Sequence, residues 1–156
     1  MLAAISRWLE LKLTRNHPTM FRVTREIEFC YGHRLLNYDG KCRHLHGHNG
    51  RAVITLEGAS LDDRGMLLDF ADIKQKIQRW IDENLDHTML LSAADPLLPV
   101  LRDRGERVYV MDGNPTAENI ARLIFNKAEQ SGLPVVEVVL WETGNCFATY
   151  TGAERG

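Results

Sequence analysis

Long hydrophobic runs are missing from this sequence. In the first nineteen residues, MLAAISRWLELKLTRNHPT, the charges of Arg7, Glu10 and Lys12 interrupt every apolar stretch, so neither a signal-peptide core nor a membrane span is expected there. Cysteine is scarce: Cys30, Cys42 and Cys146 are too few, and odd in number, for a disulfide framework. They suit a reducing compartment, and the cytoplasm is the expected location. An excess of one charge is also lacking. A net charge of −2 and a pI near 6.3 give no general pull towards nucleic acid or an acidic membrane, and neither is expected as a partner. What is present, 44% hydrophobic and 26% charged residues in a chain of 156, suffices for one buried core. Leu2, Ile5, Trp8 and Leu9 recur at roughly helical spacing, so residues 1–19 read as an N-terminal arm extra to a single domain at 20–156.

From Val23 the pattern has period two. Val23, Ile27, Phe29, Tyr31 and His33 share one face of an expected strand, with Arg25 the only break. A second strand reads from His46 to Glu57, with His46, His48, Ala52, Ile54 and Leu56 in one phase. Asp69 is then an expected N-cap for a helix with Phe70, Ile73, Ile77, Trp80 and Ile81 on one stripe. Residues 90–112 are irregular, punctuated by Asp95-Pro96 and Pro99, with a short extended piece expected at Arg107 to Met111. A second helix opens at Asn114-Pro115-Thr116 and stops at Gly132 and Pro134. VVEVVLWE and CFATYT close the chain as a hairpin around Thr143-Gly144-Asn145. Strand, strand, helix, helix, strand, strand implies an α+β layer: a four-stranded antiparallel sheet with two helices on one face. Its two open edges invite oligomerisation.

Histidine is concentrated. Four of the six lie within GHRLLNYDGKCRHLHGHNG, residues 32–50. His46 and His48 are two apart on a strand and so project from one face, and His33 lies on the inward phase of the preceding strand. Three neutral imidazoles suit zinc and leave a fourth position for water or substrate. The competing reading, hydrogen-bonded core histidines, fits one such residue better than three in phase. His44 precedes the strand and stays outside the set. Gly32 and Gly47 remove side chains where the backbone bends or a substrate approaches.

Other residues admit alternatives. Cys42 is a fourth ligand closing a structural site, a small buried residue, or a nucleophile or base activated by the metal, with Lys41 and Arg43 beside it. Asp86-His87 is a surface or capping pair, unless His87 reaches Cys42 and moves a proton with Asp86 setting its tautomer. Glu142 ends a strand in the phase of Val138 and Leu140. It is either solvated or a partly buried carboxylate awaiting a donor.

These motifs, in this order, resemble the 6-pyruvoyltetrahydropterin synthase and 6-carboxytetrahydropterin synthase family. Its pattern is F-x-x-x-H, C-x-x-x-H-x-H, L-D-H, N-P-T and a strand-end E-T. The chain supplies Phe29 to His33, KCRHLHGH at 41–48, LDH at 85–87, NPT at 114–116 and WET at 141–143. The resemblance covers about Met20 to Tyr150. It implies catalytic Zn²⁺ on His33, His46 and His48, Cys42 as proton acceptor, His87 backed by Asp86 as the rest of a proton relay, and Glu142 as anchor of the pterin's amino-pyrimidine edge. Thr116 is implied in the same pocket. It further implies the tunnelling fold, in which trimers of four-stranded sheets join into a barrel and pair to a hexamer, with sites between subunits.

The implied substrate is 7,8-dihydroneopterin triphosphate. The compact KC-x-x-LHGH arrangement resembles members that form 6-carboxytetrahydropterin, acetaldehyde and triphosphate for queuosine synthesis, and that activity is the expectation. The alternatives are 6-pyruvoyltetrahydropterin synthesis at the same residues and a non-catalytic zinc-stabilised interaction module. Cys42 argues against members that release a hydroxymethylpterin, which carry glutamate instead. The chain departs from the family at Cys30-Tyr31-Gly32, where F-S-A-A-H is usual, at Asn49-Gly50, where an aromatic often follows the last histidine, and in a longer segment from Leu90 to Asp112.

Overall fold

The computed structural model describes residues 20–152. The expected N-terminal arm lies outside the described residues. Strand β1 (Phe21–His33) pairs antiparallel with β2 (His46–Gly58), and the alternation expected from the sequence holds: Ile27, Phe29, Tyr31 and His33 are buried, as are Ala52, Ile54 and Leu56. Arg25, the break in that alternation, reaches off the sheet to donate to Gln78 at 2.8 Å.

A helical run follows at 70–84, here α1. Asp69 caps it, its carboxylate accepting from the Ala71 N–H. The run contains one π-helical stretch, Lys74–Gln78, between α-helical Phe70–Ile73 and Arg79–Asn84. Ile73, Ile77 and Ile81 are spaced by four at each step, and the wider turn helps keep all three against the core. Phe70, expected on that stripe, is 51% exposed instead, because it belongs to the first turn, before the run has closed onto the sheet.

The segment expected to be irregular is ordered. It forms β3 (Thr88–Ser92), α2 (Leu98–Asp103) and β4 (Val108–Met111), the last matching the expected extended piece. β3 runs parallel to β1, and β4 parallel to β3. Helix α3 (Ala117–Gln130) is capped by Thr116, whose hydroxyl accepts from the Asn119 N–H, and it ends where Gly132 takes a φ of +76°. β5 (Val135–Thr143) and β6 (Cys146–Tyr150) close the chain as the expected hairpin.

The sheet order is β4-β3-β1-β2-β5-β6. The expected antiparallel four strands are present as β1-β2-β5-β6, but they are part of a six-stranded mixed sheet, so the four-stranded description is corrected. The physical reason is burial. Thr88, Leu90, Leu91 and Ser92 are all buried, and a strand covered on both faces shows no alternation. The inward residues of α1 and α3 join those of β1, β2 and β5 in one core. The histidines sit at the end of that buried face.

Candidate active site

His33 ends β1 and His46 begins β2, and the two are direct partners across the ladder; His48 faces Tyr31. The ladder alone therefore brings the three imidazoles together, with ring centroids 4.4 to 5.1 Å apart. Gly47 permits the close approach of the strands. A Cβ there would lie 2.9 Å from the Tyr31 carbonyl oxygen.

Two of the three rings are oriented from behind. His33 Nδ1 lies 2.7 Å from the Pro115 carbonyl and His46 Nδ1 lies 2.8 Å from the His44 carbonyl. A carbonyl only accepts, so both Nδ1 atoms carry the proton and both Nε2 atoms turn lone pairs inward. His48 Nε2 lies 3.1 Å from His33 Nε2. His46 Nε2 is buried and has no hydrogen-bond partner among the described residues. Burial pushes the His33 imidazole below its ordinary range, which outweighs the Pro115 carbonyl and the Glu142 charge acting the other way, so the ring is held neutral. Ligand atoms of His33, His46 and His48 all lie within 4.8 Å of one another. An orphaned buried acceptor facing two more imidazole nitrogens, with backbone carbonyls fixing the tautomers, is a donor set that fits a divalent metal such as zinc.

Glu142 lies beside this group, its Oε1 3.9 Å from His33 Nε2. It falls where the β5–β6 register shifts between Trp141 and Thr143, an irregularity that re-aims a strand-end side chain. It is partly buried and accepts a hydrogen bond of 2.9 Å from the Tyr31 hydroxyl. Burial, with the Glu142 charge and that hydrogen bond, pushes the Tyr31 phenol far above its ordinary range, so it remains a donor.

Asp86 and His87 follow α1 directly. The Asp86 carboxylate accepts from the Cys30 N–H and from His87 Nδ1, both at 2.8 Å, while the His87 N–H donates to the Cys30 carbonyl. Burial works to raise the Asp86 carboxyl, but those donors outweigh it and hold it below the ordinary carboxylate range. His87 takes a φ of +51° and its ring stands out into solvent. It lines a cavity of about 580 Å³ shared with His46, His48, Met89 and Arg107.

Cys42 lies in a short 3-10 turn, Lys41–Arg43, with its carbonyl accepting from Leu35. Its thiol is not in the group of converging ligand atoms, and the residue does not line the cavity beside His46 and His48. Thr116 serves as a helix cap, while its neighbour Pro115 orients His33. Thus one protomer brings the three histidines and Glu142 together, places His87 on a cavity shared with His46 and His48, and leaves Cys42 outside the ligand group.

Sequence reading missed two participants, the Pro115 carbonyl and the Tyr31 hydroxyl. Backbone acceptors leave no trace in residue type. Tyr31 did leave a signal, a large ring two residues before the first histidine.

The sequence profile of the family described as 6-pyruvoyl tetrahydropterin synthase matches residues 22–153. A protein of Rickettsia bellii named 6-carboxy-5,6,7,8-tetrahydropterin synthase is 38% identical over 135 residues, which are 82% of this chain and 98% of that protein. One of the same name from Haemophilus influenzae is 30% identical over 139 residues, 84% of this chain and 99% of that one. Among solved structures, an uncharacterized protein of Wolinella succinogenes superposes with a TM-score of 0.71 at 29% identity, covering 86% of this chain and 99% of its own. The 6-pyruvoyl tetrahydropterin synthase of Caenorhabditis elegans gives 0.67 at 23% identity, with 86% and 97% covered, and shows the same fold.

Proposed function

Since the chain belongs to the 6-pyruvoyl tetrahydropterin synthase family, we infer that it is a 6-carboxy-5,6,7,8-tetrahydropterin synthase, a lyase acting on 7,8-dihydroneopterin triphosphate. The products are 6-carboxytetrahydropterin, acetaldehyde and triphosphate, and the pathway served is the synthesis of queuosine precursors. The observation that carries this reading is the convergence of three imidazole Nε2 atoms beside Glu142, in a chain that matches relatives of that name over nearly their full length.

His33, His46 and His48 would hold the zinc, which when bound supplies a Lewis acid for the side-chain hydroxyls of the substrate. Glu142 accepts hydrogen bonds from the amino-pyrimidine edge of the pterin and so sets where the side chain falls. Cys42 takes a proton from the carbon beside a hydroxyl. His87, its Nδ1 held by Asp86, gives and takes protons at the other end of the side chain through Nε2. Loss of triphosphate with tautomerisation turns the outer hydroxyl carbon into a carbonyl beside a methyl group. The inner hydroxyl carbon becomes a carbonyl as its two hydrogens pass to the C6–N5 double bond of the ring, which takes the dihydropterin to the tetrahydropterin. Addition of water to the inner carbonyl and cleavage of the bond between the two carbonyls give a ring carboxylate and acetaldehyde, with no external oxidant.

Cys42 and His87 need not meet within one protomer, because the functional unit we propose is a homo-oligomer, a hexamer built as a dimer of trimers. Its edges would be β4 and β6, of four and five residues, which are short and open to pairing. Thr116 would act at the pocket through the loop it anchors. Residues 20–156 form one domain in this reading, and the location is the cytoplasm. Among the described residues no helix is long and apolar enough to cross a membrane. The position of Cys42 outside the ligand group disfavours a closed four-ligand structural site.

The test is incubation of the zinc-loaded protein with 7,8-dihydroneopterin triphosphate and identification of products by mass spectrometry. A carboxylated tetrahydropterin with acetaldehyde is expected. A pyruvoyl product would transfer the protein to the rival activity, and absence of turnover with zinc bound would refute both.

A further inference from the structure

Tyr31 has a place in the site that no part of the mechanism above uses. Its ring lies on the inward face of β1, 5.3 Å from the His33 ring and 5.7 Å from the His48 ring, and its hydroxyl reaches across β2 to β5, where it donates to Glu142 Oε1. The space for that ring is made by the opposing strand. A Cβ on Gly50 would lie 2.7 Å from Tyr31 Cε1 and 3.3 Å from Cδ1, so residue 50 has no side chain while residue 31 carries the ring. Phe29 stacks on the Tyr31 ring at 5.4 Å, and Tyr31 is 3% exposed. The ring that carries the hydroxyl is thus held by packing before any ligand arrives.

Glu142 needs such a partner. It sits at a register irregularity near the end of β5, and a carboxylate on a flexible side chain there samples several orientations. We propose that Tyr31 is a positioning residue for the pterin anchor: its hydroxyl fixes the Glu142 carboxylate in one orientation through Oε1 and leaves Oε2 to the amino-pyrimidine edge of the substrate. A carboxylate has lone pairs enough to accept from the phenol and from two ring donors together. The Tyr31–Gly50 pair is the device that brings a hydroxyl to this point. A phenylalanine reaching the same space from position 50 would fill it without a donor. The proposal rests on the reading of Glu142 as the pterin anchor.

The test measures binding of 7,8-dihydroneopterin, which has the ring but no triphosphate, by titration calorimetry on zinc-loaded protein, beside steady-state kinetics with the triphosphate. Tyr31→Phe, which keeps the packing, is expected to raise both Kd and KM roughly tenfold, the loss of one hydrogen bond to a charge, with kcat changed by less than about twofold and zinc content intact. Glu142→Gln is expected to weaken binding further. Tyr31→Ala should lower Tm, and adding Gly50→Phe should recover the Tm but not the affinity. Unchanged affinity in Tyr31→Phe, with Glu142→Gln weakened, would reduce Tyr31 to packing while the anchor reading stands. Unchanged affinity in Glu142→Gln would overturn the anchor reading and the proposal with it. Recovery of affinity by the paired Tyr31→Ala and Gly50→Phe changes would overturn the proposal alone.

Discussion

His33 stands directly opposite His46 across the β1–β2 ladder, and each ring is tied through Nδ1 to a backbone carbonyl, that of Pro115 for the first and of His44 for the second. The tautomers are therefore set by the backbone, and Nε2 faces the centre without help from a ligand. Replacing any of His33, His46 or His48 by alanine removes one of three donors. Zinc content measured by mass spectrometry should fall from one per protomer to well below one, and turnover should be lost. Chelation of the parent protein should do the same and lower its Tm. Full zinc occupancy in His46→Ala would place the metal elsewhere.

In the proposed mechanism Cys42 separates catalysis from metal binding. Its thiol lies outside the converging group, so Cys42→Ala should abolish product formation by about a hundredfold or more while zinc content and Tm stay near those of the parent. Loss of zinc together with folding would show a structural ligand instead.

In the proposed mechanism His87 has two separable roles, one in its backbone and one in its ring. A φ of +51° is tolerated by asparagine better than by most residues and badly by β-branched ones. His87→Asn should keep the fold, with a Tm within a few degrees of the parent, and lose turnover. His87→Val should lose turnover and also about 1–2 kcal/mol of stability in urea unfolding. Equal stability of the two variants would remove the backbone argument.

Much of this was legible in the sequence because the relevant signals are local or periodic. The inward phase of Ile27 to His33 and of His46 to Leu56 follows from strand alternation, and the caps Asp69 and Thr116 follow from hydroxyl and carboxylate chemistry. β3 was not legible, because Thr88, Leu90, Leu91 and Ser92 are buried and erase the alternation that marks a strand. Nor could the Tyr31–Glu142 bond be read, since it joins residues 111 apart through β2, and only the finished sheet sets that distance. The place of the Cys42 thiol outside the ligand group is of the same kind, since the residue lies in the Lys41–Arg43 turn ahead of β2 and only the finished fold sets where that turn falls.

The loop that leaves β1 is held by Arg34, which pairs through two nitrogens with the Asp95 carboxylate, one contact being Nε to Oδ2 at 2.7 Å. The Asp95 side chain is fully buried, and the same carboxylate accepts from the Leu97 N–H. The Arg34 guanidinium, foremost by hydrogen bonding, holds the Asp95 carboxyl below the ordinary carboxylate range. The sign follows from linkage: a carboxyl whose folded value is depressed stabilises the fold fully above the unfolded value of about 3.9, and that stability is lost as pH falls through the folded value. Asp95→Ala should therefore cost roughly 3 kcal/mol at neutral pH, the low end for breaking a buried pair because Arg34 keeps some contact with solvent. Urea unfolding at a series of pH values should show the gap between parent and variant steady above about pH 5 and narrowing below about pH 4. A gap that stays constant into acid would mean that Asp95 stabilises the loop through packing and its backbone turn, without its charge.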